Sequence, residues 1–144
     1  MIDRQVIVAA ARRYIGTPYH HQAALRGAGC DCLGLVRGVW RDLYGAEPEE
    51  PPPYTPDWGE VGAVEHMLDA ARRHLLPVAL EEVGPGDVAL FRLRPGCPVK
   101  HAAILSDDGR MIHAQSRDRV REVAFDGWWR RHLAAGFGWP EGRG

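Results

Sequence analysis

Asp31-Cys32-Leu33-Gly34-Leu35-Val36-Arg37-Gly38-Val39-Trp40-Arg41 is the stretch on which the reading of this chain turns. Leu35, Val36, Val39, Trp40, Leu43 and Tyr44 recur at one-face helical spacing, and Gly45 supplies a stop, so a helix is expected from Asp31-Cys32 to Tyr44. Cys32 then falls in its first turn, where unpaired backbone N–H groups and the positive end of the dipole favour a thiolate. The Cys32 N–H is also placed to face a developing oxyanion. The competing reading makes Cys32 a small buried apolar residue, a common fate for cysteine.

Upstream, Asp3 to Ile15 reads as a helix with Val6, Ile7, Ala10, Ala11 and Tyr14 on one stripe, Asp3 at its start and Gly16 and Pro18 at its end. Residues 16–30 read as an irregular loop punctuated by glycine and proline. Downstream, Glu47 to Pro56 is proline-rich and extended, and a third helix is expected from about Glu60 to Leu76, closed by Pro77. The period then shortens. Val88–Leu93, His101–Leu105, Arg110–Gln115 and Arg119–Phe125 read as four strands, followed by a short helix over Asp126–Ala135 and a last edge strand at Phe137–Trp139. Helices first and an antiparallel meander second make an α+β domain, and 144 residues suffice for one, spanning 1–144.

A cysteine nucleophile needs an imidazole oriented by a third group. Asp107-Asp108-Gly109 reads as a three-residue hairpin turn. Centring the hairpin on Asp108 sets Ala103 opposite His113 and Gln115 opposite His101. His101 and His113 become diagonal neighbours on one face, roughly 7–8 Å apart at the backbone. Gln115 is the rival for the orienting role. The other five histidines, His20, His21, His66, His74 and His132, read as surface residues, with His20 and His21 able to line a cleft. Cys97 reads as a loop cysteine, and Trp128 and Trp129 as packing.

Composition narrows the field. Apolar residues make up 45%, charged residues 26%, and the net charge is −1, so bulk electrostatics give no reason to expect a nucleic-acid partner. No run approaches a membrane span, and the first residues form no secretory signal, so synthesis in the cytoplasm is expected. Three cysteines in such a chain argue against a disulfide framework. Cys30-x-Cys32 with His101 and His113 has the atoms of a zinc site but lacks the usual knuckle spacing; no metal and no cofactor is expected.

Several segments resemble one family. Asp31-Cys32-Leu33-Gly34-Leu35-Val36 is similar to the D-C-S-G-L-V nucleophile motif of NlpC/P60 peptidases, and Gly16-Thr17-Pro18-Tyr19 to their G-T-P-Y segment. Gly86-Asp87-Val88-Ala89-Leu90-Phe91 is similar to their G-D-L-x-x-F strand, His101-Ala102-Ala103-Ile104-Leu105 to H-V-G-I-Y, and Ile112-His113-Ala114 to the segment of the third residue. The order is the family's and covers nearly the whole chain.

The resemblance implies a papain-like fold and hydrolysis of peptidoglycan stem peptides, usually between D-glutamate and a diamino acid. It makes Cys32 the nucleophile, His101 the base and His113 the orienting residue. Tyr19 and Asp31 would line the site with Leu33, the Tyr19 hydroxyl near the oxyanion. Leu33 stands where the family commonly has serine, and His20-His21-Gln22 where it has W-G-G. The longer form 31–41 resembles the phage-type branch, encoded with tail genes and in gene transfer agent clusters. The implied setting is a phage-like particle, with tail-tip or baseplate proteins as partners. The rival functions are an N-acetylmuramoyl-L-alanine amidase or acyltransferase on the same site, a structural tail component with a vestigial site, and a zinc module.

Overall fold

A computed structural model describes residues 2–49 and 65–141. Helix α1 spans Arg4–Arg12, with the Asp3 carboxylate accepting from the Gln5 amide. Its buried residues are Ile7, Val8, Ala10 and Ala11, continued by Tyr14. Val6, expected on the inward stripe, is exposed; Val8 takes its place. The expected loop at 16–30 contains a small hairpin of β1 (Ala24–Leu25) and β2 (Gly29–Cys30). Helix α2 spans Cys32–Tyr44 and ends at Gly45 in a left-handed conformation (φ 90°). It packs on α1 and on the middle of the main sheet.

Helix α3 spans His66–His74 and buries Met67, Leu68 and Ala71. The expected start of this helix at 60–64, and most of the proline-rich loop, lie outside the described residues. Leu76 is not helical: β3 (Leu76–Val78) begins there. Pro77 is accommodated because β3 is an edge strand, where a missing N–H breaks no ladder. The four expected strands form as β4 (Val88–Phe91), β5 (His101–Leu105), β6 (Arg110–Ala114) and β7 (Val120–Ala124). Helix α4 (Gly127–His132) and β8 (Leu133–Gly138) follow.

The six-stranded antiparallel sheet runs β3-β8-β4-β5-β6-β7. The expected edge strand is therefore interior: β8 lies between β3 and β4. Gly136 permits this, since a Cβ there would stand 2.3 Å from Val83 Cγ1. The β5–β6 hairpin pairs Ile104 with Ile112 and Leu105 with Met111, turning through Asp108 and Gly109, both left-handed. Continued, this register sets Ala103 opposite His113, as the hairpin turn implied.

The sheet has apolar side chains on both faces. Val88, Leu90, Ala102, Ile104, Ile112 and Ala114 belong to the core shared with the helices. Ala89, Phe91, Ala103, Leu105, Met111 and Phe125 form a second cluster on the other face, with Trp129 packed against it. Among the described residues no helix is long and apolar enough to cross a membrane.

Candidate active site

Asp31 organises the start of α2. It is buried, and its Oδ1 accepts from the Gly34 amide at 2.6 Å while its Oδ2 accepts from the Gln22 amide at 2.8 Å. Asp31 was expected to line the site; its two carboxylate oxygens accept from backbone amides, hold the turn that carries Cys32 and act on the thiol. Gly34 is required by the same packing, because a Cβ would stand 1.9 Å from the Ala23 carbonyl oxygen.

The Cys32 thiol lies against the first residues of β5. Its Sγ donates to the Lys100 carbonyl at 3.7 Å, and the Ala102 amide also hydrogen-bonds it, so it meets the backbone on either side of His101. The thiol is pushed up to about 12, by burial first and then by the Asp31 carboxylate, against the amides of Ala102, Leu33 and Cys32 itself. The helix start was expected to favour a thiolate. Burial and Asp31 outweigh its amides and raise the thiol instead.

His101 follows the pleat onto the sheet face opposite α2, where its ring packs 5.9 Å from Phe91. Its Nε2 is hydrogen-bonded to His113 Nδ1 at 2.9 Å. His101 is lowered to about 3, by burial first and then by the charges of His113 and Lys100. Burial also lowers His113, with Asp118 opposing. The pair is neutral near pH 7. His113 is buried and hydrogen-bonded to His101; Gln115, its rival, is exposed in the turn after β6.

Tyr19 is held by a brace, close enough to the thiol to feel its charge. The Gly16 amide donates to the Val120 carbonyl, the Tyr19 amide to the Asp118 carbonyl, and the Cys30 amide to the Pro18 carbonyl. The segment is thus tied to β7 on one side and β2 on the other. Tyr19 is half-buried, and its hydroxyl is pushed up to about 12 by burial and then by Cys32, Asp31 and Cys30. Leu33 is half-buried and packs against the main core. Cys30 is buried and its thiol donates to the Asp31 carbonyl, and among the described residues no three His, Cys, Asp or Glu are grouped to hold a metal.

Trp129, read from the sequence as packing, packs on the second cluster and also meets the histidine pair, a contact the sequence did not signal. Its indole stacks on His101 at 5.3 Å between centroids and 27° between planes, and meets His113 edge-on at 5.2 Å.

The model of the NlpC/P60 family matches residues 16–136, taking in Tyr19, Cys32, His101 and His113. The chain belongs to the NlpC/P60 family. A probable endopeptidase of Mycobacterium tuberculosis is 32% identical over 125 residues, covering 86% of this chain and 27% of the relative. The gamma-DL-glutamyl hydrolase of Bacillus subtilis is 29% identical over 114 residues, covering 79% and 24%. This NlpC/P60 chain thus spans about a quarter of the length of these curated relatives. Among solved structures, the NlpC/p60 domain of the peptidoglycan hydrolase SagA superposes with a TM-score of 0.65 at 24% identity, covering 95% of this chain and 99% of that one. NlpC2 from Trichomonas vaginalis gives 0.69 at 17%, covering 96% and 48%. These likenesses establish an α+β NlpC/P60 fold.

Proposed function

We propose that this chain is a cysteine endopeptidase that cuts peptidoglycan stem peptides, with Cys32 as nucleophile, His101 as base and His113 as the residue that orients it. One observation carries the reading: a half-buried thiol held against residues 100–102, whose central member is an imidazole hydrogen-bonded to a second, buried imidazole. The reaction is read as general-base catalysis, because burial raises the thiol and lowers His101, and both shifts favour the neutral forms. The thiol proton passes to His101 as Sγ attacks the peptide carbonyl carbon. The C–N bond then breaks, and His101 returns the proton to the leaving amine. Water attacks the thioester, gives a proton to His101, and the thiol is restored as the carboxylic acid leaves. The Cys32 amide and the Tyr19 hydroxyl stabilise the oxyanion.

The bond is that between D-glutamate and the diamino acid, a reading supported by the family resemblance and by a relative named as a gamma-DL-glutamyl hydrolase. Leu33, in place of the family's serine, makes an apolar contact with the stem. The setting is a phage-like tail tip or baseplate, or a gene transfer agent particle, into which the chain is built after synthesis in the cytoplasm. There it opens the wall for DNA passage. That setting rests on the likeness of residues 31–41 to the phage-type branch.

The test is incubation of the protein and its Cys32→Ala variant with peptidoglycan sacculi, followed by mass spectrometry. Fragments cut within the stem, produced by Cys32 protein alone, are the expected result and name the bond. Release of whole stems from the sugar would make it an amidase instead. Sacculi left intact by both proteins, alone and within an assembled particle, would leave a structural subunit.

A further inference from the structure

Trp129 touches both imidazoles. Its indole stacks on His101, meets His113 edge-on, and packs 5.0 Å from Phe91, which itself flanks His101. Trp128 braces it from outside at 4.8 Å, and Trp128 is in turn stacked on His132 at 4.1 Å. The backbone beneath is pinned. Asp126 Oδ1 accepts from the amides of Trp128 and Trp129, and Arg130 lies 4.4 Å over the Phe125 ring while its Nε donates to the Phe125 carbonyl. A large aromatic ring is thus fixed over a polar pair that the sheet cannot cover, because β5 and β6 end there.

We propose that Trp129 is a positioning residue for the Cys32–His101 reaction: its indole roofs the His101–His113 hydrogen bond, excludes water from it and offers an aromatic face to the imidazolium. The inference rests on the peptidase reading. Excluding water strengthens the bond that fixes the His101 ring and keeps the imidazole neutral at rest. When His101 takes the thiol proton, the stacked indole is attracted to the new cation. The first effect dominates at rest, since burial is the largest cause of the low His101 value.

The groups that face the pair come from several elements. Cys32 approaches from α2, with Asp31 and Tyr19 behind it; Lys100 precedes β5; Asp118 lies in the β6–β7 turn. Phe91 of β4 is apolar, Arg92 after it is paired with Glu65, and on α4 Arg130 is engaged with Phe125 and His132 with the Trp128 carbonyl. None of these is removed by substituting Trp129.

The experiment compares the full chain with Trp129→Ala and Trp129→Phe. Histidine ring resonances are followed by NMR against pH, and Cys32 alkylation by iodoacetamide is followed by peptide mass spectrometry, which separates Cys32 from Cys30 and Cys97. In Trp129→Ala the His101 midpoint is expected to rise by about one unit or more as water enters. On sacculi-derived peptides kcat is expected to fall about tenfold or more with KM within about threefold. Trp129→Phe is expected to restore most of both. Should Trp129→Ala melt below the assay temperature, Trp129→Leu, which keeps apolar bulk without a π face, is read in its place. A His101 midpoint unchanged by loss of the indole overturns the proposal, as does a loss confined to KM. A chain inert on peptidoglycan whose His101 midpoint still rises in Trp129→Ala would sink the peptidase reading and leave the roof standing.

Discussion

His101 Nε2 and His113 Nδ1 lie 2.9 Å apart with their rings nearly perpendicular, at 88°. The bond dictates which nitrogen is free to work. For His101 to act as a base, its proton must sit on Nε2 and be donated to His113, leaving the lone pair on Nδ1. A register slip of one residue would turn either ring to the opposite face of the sheet and remove the pair.

Replacing His113 therefore disables orientation without touching the thiol. We expect His113→Ala to lower kcat by about a hundredfold or more, in the range of a positioned base that loses its alignment. Gln115→Ala, on an exposed side chain, should stay within about twofold. Steady-state kinetics on stem-peptide fragments checks both, and equal losses would return the orienting role to Gln115.

Asp31 has two separable effects, the turn and the charge. Asp31→Ala orphans the Gly34 and Gln22 amides and should cost about 2 kcal/mol or more of stability in chemical denaturation. Asp31→Asn keeps an acceptor oxygen but removes the charge that helps to raise the thiol. Cys32 should then be alkylated faster than in the wild type near pH 8. An unchanged rate would mean that burial alone sets the thiol.

Gly34→Ala tests the same turn from the packing side. The added Cβ would collide with the Ala23 carbonyl, which is backbone already bonded by the Asp31 amide. A loss of about 1–3 kcal/mol is expected, read as a fall in Tm. A neutral substitution would show that the hairpin of β1 and β2 moves freely from α2.

Among the groups that make stability depend on pH, two belong to the Cys32–His101 pair. His101 falls from 6.5 in the unfolded chain to about 3 in the fold, so between these values the unfolded state binds more protons and stability declines as pH drops. Cys32 rises from 9 to about 12, so above pH 9 the unfolded state loses protons first and stability declines as pH climbs. Maximum Tm is expected between about 6.5 and 9. His101→Gln should make the acid side shallower, with His113 still contributing, and Cys32→Ala the alkaline side, with Cys30 and Tyr19 still contributing. Unaltered slopes in a calorimetric pH series would refute the assignment.

Much of the site is written in the order of the amino acids. The spacing from Leu35 to Tyr44 sets a helix that begins at Cys32, and the turn at Asp107-Asp108-Gly109 sets a hairpin register that puts His101 and His113 on one face. Both are local matters. A helical stripe and a pleat of period two are carried by neighbouring residues, so a few positions decide which way each side chain points.

Only the tertiary structure decided what those side chains meet. Sequence could not choose between His113 and Gln115, since burial of one and exposure of the other depends on what covers the end of β6. It left β8 at an edge because two glycines and a short strand say nothing of partners; its place between β3 and β4 comes from pairings with residues about 50 positions away. It favoured a thiolate at Cys32, whereas folding buries the Asp31 carboxylate beside a half-buried sulfur and raises the thiol. And it read Trp129 as packing without its partner, since the stack on His101 joins residues far apart in the chain. Local pattern reports a residue's own face; the fold supplies the partner, the solvent exclusion and the field.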